Sequence, residues 1–383
     1  MDRRRFLQLS AAAAAGFASS GCRRKQTITK PGSLYPSGTI AYITHYHDVK
    51  IFVTLPDSPP REVRHKTAPD SLTIAEKGLY TMALNLDTRG PPNDPMSNTW
   101  KHSIRWIGDE GEYLCGDFSE PLSPVVLRGD LMYFGYLSVE GSTSGLSCSN
   151  GIAYGRADQI EDAIPIIDNM MIERIVGSGW QMTFGSFTPS WDGTRLALGI
   201  ENKLRQHEGN VLKKGIIVDV ETGSIDLDID APGGFYMPAW SPDGTTVAFH
   251  SSKGDVDAEV YLHDSTGTRP VVDGCAPVWS PRGDYLLVKN SPPTGGTVTY
   301  AWSPTMTERQ PLFESTSARF SRGPQSDVQD LVAYTMVDQR IGAGESLCRQ
   351  ALMPQYDGEG NVMKVTKGSW SQIDQAVMDF DIL

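Results

Sequence analysis

The histidines of this 383-residue chain are the residues best suited to metal or ligand chemistry. His45 and His47 stand two positions apart, so an extended strand would turn both imidazoles to the same side. Neutral imidazole binds divalent metals, and it changes its charge near neutral pH. If the strands lie where the repeats of the chain predict them, four of the seven histidines share one face of the fold. The residues that we expect at this ligand-binding face are His45, His47, Asp48, His207 and His250.

A divalent metal is the candidate ligand that this set of residues suggests. We expect His45, His47 and His250 to bind it, provided that the first loop and a later one converge on a single ion. The alternative is that they are solvated loop histidines, because two loops unrelated in sequence must meet to make such a site. The sequence indicates no other cofactor.

Motifs for other kinds of catalysis are missing from the sequence. It has no Gly-x-Ser-x-Gly nucleophile elbow and no Gly-Lys-Ser/Thr loop that would cradle a phosphate. Asp and Glu are numerous, but most of them stand in predicted hairpin corners, where they make turns. The sequence therefore favours a protein that is not an enzyme, without settling the question.

Five cysteines are spread along the chain without a Cys-x-x-Cys pair, so a zinc ribbon is not indicated. Cys22 belongs to the N-terminal segment. The other four could form disulfides in an oxidising compartment, in any of three pairings that the sequence does not distinguish. These four are Cys115, Cys148, Cys275 and Cys348.

A repeated motif organises the elements that would position these residues. Its two plainest copies are Trp240-Ser241-Pro242-Asp243-Gly244 and Trp279-Ser280-Pro281-Arg282-Gly283, each followed by an apolar segment. Pro sets φ at the first corner of a tight turn, and Gly accepts the positive φ that closes it. The motif therefore predicts an aromatic anchor, a turn and a second antiparallel strand. The shared position of the tryptophans indicates core anchors rather than ligand-stacking residues.

Fainter copies of the motif extend over most of the chain. The turn glycines of six copies stand 39 to 64 residues apart, at positions 38, 78, 129, 193, 244 and 283. A seventh copy, at Phe320-Ser321, keeps the aromatic anchor without the glycine. Units of this length that are rich in Val, Ile, Tyr, Thr, Gly and Pro are typical of propeller blades. We therefore predict an all-β, seven-bladed β-propeller of four-stranded antiparallel blades.

The Ser-Pro-Asp-Gly repeat, with Ala248-Phe249 in the strand after it, resembles the TolB-like propeller family. The resemblance covers roughly residues 34–340, and it is strongest in the two plain copies. TolB itself carries an α/β domain before its propeller, whereas the first repeat here begins at Tyr35. The resemblance therefore implies a propeller and says little about partners.

The first repeat lacks an innermost strand on its N-terminal side, since only Gly32-Ser33-Leu34 precede its turn. An open blade would leave edge hydrogen bonds unpaired. Residues 370–383 partly alternate between apolar and polar side chains, so we predict that they supply the missing strand beside Ile40–Ile43. The alternative is a loose extension that packs nowhere.

The first residues resemble an export signal. Arg3-Arg4, with Phe6-Leu7 shortly after, resembles a twin-arginine motif, and an alanine-rich apolar run extends to Ala18. That run is far shorter than the ~20 residues of a membrane-spanning helix. The alternative is a basic, disordered tail, which would need no apolar run.

Ser19-Ser20-Gly21-Cys22 resembles a lipobox in which Cys22 receives a lipid, although Ser19 replaces the usual leucine. An ordinary cleavage near Ala18 is the alternative. We therefore divide the chain into a signal peptide with a candidate lipobox over residues 1–22, a tether over 23–33, and a propeller over 34–383. This organisation predicts export to the periplasm, with the membrane reached through a lipid on Cys22.

The chain has a net charge of −12, which becomes −14 when residues 1–21, with their net charge of +2, are removed. An acidic surface repels phosphates, so we expect no nucleic-acid partner. The leading function is an extracytoplasmic binding module for an envelope protein, peptidoglycan or a glycan. One alternative is a metal-dependent, carbohydrate-active enzyme of the polysaccharide lyase kind. Another is a structural lipoprotein of an envelope complex. The sequence does not give the oligomeric state.

Overall fold

The computed structural model describes most of the chain beyond residue 34, and Leu34–Leu383 form one compact unit. The described residues are 35–44, 48–64, 69–75, 78–87, 99–108, 111–119, 126–128, 131–142, 145–156, 163–204, 212–231, 233–253, 257–290, 297–322, 329–337 and 345–383. The predicted signal peptide and tether lie outside these ranges, and so does the candidate lipidation site Cys22.

The described strands form seven four-stranded antiparallel sheets. Sheet 1 contains β1 (Ile40–Thr44), β2 (Lys50–Thr54) and β3 (Arg61–Val63), together with the last strand of the chain. Sheet 2 contains β4 (Ser71–Ala75), β5 (Gly78–Asp87), β6 (Thr99–Gly108) and β7 (Gly111–Ser119). Sheet 3 contains β8 (Val126–Arg128), β9 (Leu131–Ser142), β10 (Gly145–Arg156) and β11 (Ile164–Asp168). Sheet 4 contains β12 (Trp180–Pro189), β13 (Arg195–Asn202), β14 (Lys213–Asp219) and β15 (Ile225–Asp230).

The remaining sheets come in the same order along the chain. Sheet 5 contains β16 (Tyr236–Trp240), β17 (Val247–Lys253), β18 (Asp257–Asp264) and β19 (Gly267–Asp273). Sheet 6 contains β20 (Cys275–Trp279), β21 (Leu286–Asn290), β22 (Val298–Trp302) and β23 (Gln310–Glu314). Sheet 7 contains β24 (Ser317–Phe320), β25 (Asp330–Val337), β26 (Glu345–Tyr356) and β27 (Val362–Asp374). The last strand, β28 (Val377–Ile382), belongs to sheet 1.

The sheets are arranged radially. Their innermost strands contact one another in the order β28, β4, β8, β12, β16, β20, β24 and again β28. This is the arrangement of a β-propeller around a central channel. The predicted propeller class is therefore confirmed.

The predicted count of seven blades, one for each repeat, is corrected by the strand order. Only six blades, sheets 2 to 7, are continuous runs of four strands. The remaining sheet is a composite, in which β28 pairs beside β1. Its members come from the two ends of the described chain because the first repeat has no innermost strand of its own.

The all-β class is confirmed, and the propeller carries one short helix, α1 (Asn169–Val176), between β11 and β12. Asp168 caps the helix by accepting a hydrogen bond from the backbone N–H of Met171 over 2.7 Å. Ile172 is buried on the inner face of the helix. The helix ends at Gly177, whose φ of 123° lies in the region that favours glycine.

The predicted closure is confirmed for β28, since Tyr42 of β1 lies opposite Phe380. The structure corrects its extent, because Trp370–Asp374 belong to β27 and pair with β26 in sheet 7. The chain turns at Gln375 and Ala376, and only the residues after this turn reach the innermost position of sheet 1. The predicted closing segment, residues 370–383, therefore contributes strands to two sheets, β27 to sheet 7 and β28 to sheet 1.

The repeated tryptophans are buried between neighbouring sheets, as the motif predicts. Trp240 donates a hydrogen bond from Nε1 to the backbone oxygen of Thr188 in sheet 4, over 3.1 Å. Trp279 does the same with Ala239 in sheet 5, over 3.0 Å. Each tryptophan thus joins its own sheet to the preceding one, with its ring in the apolar core.

Candidate ligand-binding face

Each sheet presents two sets of connections, which define two faces of the propeller. We letter the strands of a sheet A to D from the innermost to the outermost. The connections from strand A to strand B include the Trp-Ser-Pro turns, and they lie on what we call the turn face. The connections from B to C, and from D to the next A, lie on the opposite side. We call that side the B–C face, and it includes α1.

The predicted site residues are only partly within the described ranges. Asp48 is exposed in the B–C connection of sheet 1, and its part in ligand binding stays a prediction. His45, His47 and His207 lie outside the described residues, and their place at the face stays a prediction. His250 is corrected from a loop edge to strand β17, where it pairs with Tyr236 on one side and Val260 on the other.

His250 is held in a partly buried position near the inner end of the B–C face. Its ring stacks on that of Tyr236, with centroids 5.4 Å apart. Its Nδ1 accepts a hydrogen bond from the backbone N–H of Ala276 in sheet 6, over 3.4 Å. Burial, together with the positive charge of Lys289, lowers the pKa of His250 to about 4. The imidazole is therefore neutral at physiological pH.

Sheet 6 repeats this arrangement with different side chains. Cys275 pairs with Lys289 at the position where sheet 5 pairs Tyr236 with His250. Lys289 donates from Nζ to the backbone oxygen of Thr316 in sheet 7, over 2.7 Å. Burial raises the pKa of the Cys275 thiol, and the charge of Lys289 opposes that effect. A protonated thiol is a poor nucleophile.

Lys213 extends the arrangement into sheet 4. Its ammonium group donates to the hydroxyl of Tyr236 and lies 5.0 Å from the centre of that ring. Polar side chains from three successive sheets are thus linked to one another near the B–C face. We call this set the rim cluster: Lys213, Tyr236, His250, Cys275 and Lys289.

The backbone beside the rim cluster adopts an unusual conformation. Met237 and Ala276 have φ of 45° and 49°, and each is followed by a proline. Both residues lie in β-bulges, where the register of β16 and β20 with the next strand shifts. Left-handed backbone at residues other than glycine is uncommon and clusters at functional sites. Tyr236 and Cys275 are the first residues of the innermost strands β16 and β20, immediately before these bulges.

Two glycines position the start of β16. Gly199 and Gly215 face each other across β13 and β14. A Cβ atom on Gly215 would overlap the ring of Phe235, and one on Gly199 would overlap its backbone oxygen. Phe235 therefore fills the space that the glycine pair leaves, against the ring of Phe249 at 4.4 Å. This packing fixes Tyr236, the next residue.

Exposed apolar side chains are concentrated on the B–C face. Eleven large apolar side chains are exposed in the described part of the chain. Seven of them belong to α1, to B–C connections, or to the ends of strands at this face: Met170, Ile175, Leu204, Leu212, Met237, Val337 and Met378. Of the other four, only Ile164, Tyr356 and Met363 lie at the turn face, while Trp370 lies along β27.

The described residues contain no group of three His, Cys, Asp or Glu side chains placed to hold a metal ion. Cys275 and Cys348 are thiols rather than disulfide partners. The side chains of Cys115 and Cys148 are not among those described. The predicted metal ligands, two of which lie outside the described residues, stay a prediction.

Sequence reasoning missed Tyr236, Lys213 and Lys289. A signal for the first was present, since Tyr236-Met237-Pro238 and Cys275-Ala276-Pro277 precede the two plain Trp-Ser-Pro motifs at the same distance. A proline two residues before the anchor, in an innermost strand, indicates a bulge. The two lysines carry no such signal because lysines are usual in exposed connections.

Comparisons with known proteins find the fold and no family. The sequence matches no protein-family model, and it matches no curated protein. Among solved structures it is similar to TolB from Acinetobacter baumannii, with 14% identity and a TM-score of 0.43. That match covers 70% of this chain and 61% of the TolB chain, less than two thirds of its length.

Two other solved structures show the same kind of similarity. The β-propeller domain of the trilobed protease from Pyrococcus furiosus is 15% identical, with a TM-score of 0.40 over 62% of this chain and 69% of that one. The periplasmic gluconolactonase of Pseudomonas aeruginosa is 14% identical, with a TM-score of 0.41 over 88% and 99%. At these identities the likeness concerns the β-propeller fold alone.

None of the helices in the described ranges has the length and apolar character of a membrane-spanning helix.

Proposed function

We propose that this protein is an exported propeller that binds another protein of the cell envelope over its B–C face. The observation that supports the proposal is the concentration of exposed apolar side chains on that face. Soluble proteins seldom expose many large apolar side chains on one side without a partner. The turn face, which has fewer of them, has no comparable surface among its described residues.

The kind of apolar residue favours a protein over a glycan as the partner. Met170, Met237 and Met378 are at least half exposed. Methionine adapts its shape to irregular apolar surfaces, and it is enriched where proteins contact one another. Peptidoglycan and other glycans were also candidates on the sequence, and they become outcomes of the binding test.

The location of the protein outside the cytoplasm is part of the proposal. Arg3-Arg4 and the apolar run to Ala18 resemble a twin-arginine signal, and Cys22 stands where a lipobox places its lipidated cysteine. Residues 23–33 would then tether the propeller to the membrane. In this arrangement the propeller meets its partner outside the cytoplasm.

A triple variant tests the B–C face directly. Met170→Ser, Leu204→Ser and Met237→Ser together remove three exposed apolar side chains with little expected effect on folding. The purified protein, immobilised, is incubated with solubilised envelope proteins and, separately, with peptidoglycan sacculi. We expect one envelope protein to bind saturably, and at least tenfold less of it to bind the triple variant.

The matched control removes exposed apolar side chains from the turn face. Ile164→Ser with Met363→Ser should leave the binding of that envelope protein unchanged. Equal loss in both variants would show non-specific adhesion and would refute the proposal. Binding to sacculi alone would replace the protein partner with a glycan.

A metal-dependent, carbohydrate-active enzyme is the second candidate. The observation in its favour is the neutral, partly buried imidazole of His250, a form that can bind a metal. Metal analysis of the purified protein and assays on uronate polymers test it. About one zinc or manganese per chain, lost in His47→Ala with His250→Ala at unchanged melting temperature, would support this role. If the purified protein contains no metal and shows no activity on uronate polymers, this second candidate is refuted.

A structural lipoprotein of an envelope complex is the third candidate. It shares the protein partner of the main proposal but predicts a permanent complex and no small ligand. Size-exclusion chromatography of the solubilised envelope distinguishes the two. A propeller found only in one large assembly would favour the structural role, whereas a free pool that exchanges with the bound one would favour a binding module.

A further inference from the structure

We propose that Trp370 and Gln350, on the outer strands of sheet 7, form a binding site for a sugar ring. The indole stacks on the apolar side of the ring, and the amide exchanges hydrogen bonds with its hydroxyls. The site goes beyond the proposed function, because it lies along β27 and not in the connections of the B–C face. Either proposal can therefore fail without the other.

The exposed indole of Trp370 is the first observation. Trp370 is 53% exposed, whereas Trp180, Trp240, Trp279 and Trp302 are buried. It lies on the outermost strand of sheet 7 and outside the repeated motif. The face of an aromatic ring is negative, so it attracts the slightly positive C–H groups on one side of a pyranose. Trp370 thus offers a stacking surface that the buried tryptophans do not.

The ring of Trp370 is held in place by its neighbours. Its Nε1 donates a hydrogen bond to the hydroxyl of Tyr334 over 2.8 Å. The ring of Tyr334 is in turn stacked on that of Phe313 in sheet 6, with centroids 4.0 Å apart. An aromatic side chain that is already fixed loses little conformational entropy when it binds a ligand. One edge of the indole therefore orients the ring, and its exposed part can stack on a sugar.

Gln350 supplies the polar half of the site. It lies directly opposite Trp370 in the pairing of β26 with β27, so the two side chains are on the same face of the sheet. Its neighbours on that face of β26, Cys348 and Leu352, belong to the apolar core between sheets 6 and 7. Gln350 is therefore a polar side chain in an apolar row, and only 6% of it is exposed.

No described residue forms a hydrogen bond with the side-chain amide of Gln350. The strands around it, β25, β26, β27 and the facing β23, are described throughout. A nearly buried amide without a hydrogen bond costs free energy. It both donates and accepts, as a sugar hydroxyl does, whereas an anion only accepts. A neutral sugar therefore matches the amide and the indole together.

Neutral disaccharides and a ring-free polyol test the site. Cellobiose, maltose and chitobiose are titrated into the purified protein, with sorbitol as a control that has hydroxyls but no ring. Binding is followed by the NMR signal of the Trp370 indole N–H, which Trp370→Phe assigns. We expect saturable binding of at least one disaccharide, with a shift of that signal, and no binding of sorbitol. If none of the three disaccharides binds, the inference is overturned.

Two variants and a control decide whether Trp370 and Gln350 make the site. Trp370→Ala and Gln350→Met should each weaken the binding of the disaccharide about tenfold or more, because each removes one half of the contact. Met363→Ala shortens another side chain of β27 that is 53% exposed, and it should bind as the unaltered protein does. Equal binding by all three variants would overturn the inference.

The stability of Gln350→Met separates a ligand site from a purely structural role. Methionine has a similar shape and needs no hydrogen bond, so this variant should melt at the same temperature or higher. A lower melting temperature would show that the amide stabilises the fold itself, and it would refute the part of Gln350 in the site.

The variant of the B–C face keeps the two proposals apart. Met170→Ser with Leu204→Ser and Met237→Ser should bind the disaccharide as the unaltered protein does, although it loses the envelope partner. Loss of sugar binding in this variant would place the sugar on the B–C face and refute the site at Trp370. Binding of a protein strand to β27, without any sugar, would refute it as well.

Discussion

Asp381 of β28 accepts a hydrogen bond from the backbone N–H of Ile74 of β4, over 3.0 Å. Two residues earlier, Asp379 accepts from the N–H of Leu72 in the same way, over 3.1 Å. On the other side, the two carboxylates lie 3.4 Å from the guanidinium of Arg319 in sheet 7. The last strand therefore joins sheet 1 to both of its neighbours by charged hydrogen bonds, in addition to its pairing with β1.

The first prediction concerns this closure. Asp381→Ala should lower the free energy of unfolding by about 2–4 kcal/mol, since it leaves the buried N–H of Ile74 and the guanidinium of Arg322 without their carboxylate partner. Urea denaturation monitored by tryptophan fluorescence measures the change. Burial raises the pKa of the neighbouring Asp379, so Asp381 is the cleaner position to alter.

An exposed ion pair provides the control for Asp381. Glu62 forms a salt bridge with Lys50 over 3.1 Å, with both side chains more than 40% exposed. Glu62→Ala should cost about 1 kcal/mol or less, as exposed pairs usually do. If the two variants lose the same stability, the carboxylates of β28 do not contribute specially to closing the propeller.

The second prediction concerns the glycine pair under Phe235. Gly215→Ala places a methyl group where the Phe235 ring lies, so it should destabilise the protein by about 1–3 kcal/mol and displace Tyr236. Gly358→Ala is the control, because a Cβ there meets nothing within 4 Å. Thermal melting compares the two variants. Equal melting temperatures would show that Phe235 moves aside without cost.

A structural feature could be predicted from the sequence where neighbouring residues specify it, and could not where partners far away in the sequence do. The Trp240 and Trp279 motifs specify their turns by residues that lie next to one another, and the structure has those turns as predicted. The alternation near the end of the chain indicated a closing strand. It did not show that β27 ends at Asp374, since sheet membership is decided by partners far away in the sequence.

The contacts within the rim cluster could be predicted from the sequence even less. Lys213 and Tyr236 meet because sheet 5 packs on sheet 4, and Lys289 reaches Thr316 because sheet 7 packs on sheet 6. Such contacts between sheets have no local pattern. The helix α1 was missed for another reason, because an amphipathic helix of only eight residues is easily hidden between strongly patterned strands.

The third prediction concerns export. Changing Arg3 and Arg4 to Lys should leave the folded precursor in the cytoplasm, because the twin-arginine pathway depends on the arginine pair. Cell fractionation and immunoblotting measure the distribution. A precursor that is exported as before would assign the protein to another route.

The fourth prediction concerns the lipid. Cys22→Ala should release the mature protein from the membrane fraction, since a lipidated Cys22 would be its anchor. Mass spectrometry of the mature N-terminus provides the direct measurement. Unchanged fractionation, together with an unmodified N-terminus, would favour cleavage near Ala18 instead.

The fifth prediction concerns the acid sensitivity that His250 confers. Its pKa is lowered to about 4, whereas an unfolded chain protonates histidine near pH 6.5. Between these values the unfolded state binds a proton that the folded state does not. The stability that neutral His250 contributes is therefore complete above about pH 6.5, and it is lost as the pH falls towards 4. The loss amounts to at most about 3.5 kcal/mol, since the pKa is lowered by about 2.5 units and one unit corresponds to about 1.4 kcal/mol.

His250→Gln removes this titration while keeping a polar side chain against Tyr236. The variant should show a flatter dependence of melting temperature on pH between 6.5 and 4, and it should differ little in slope above pH 7. Carboxylates such as Asp264, whose pKa the Thr266 hydroxyl lowers to about 2, lose their contribution only below about pH 4. The two effects therefore occupy different pH ranges. If both proteins lose stability equally between pH 6.5 and 4, another group is responsible, and the interior position of His250 does not govern acid sensitivity.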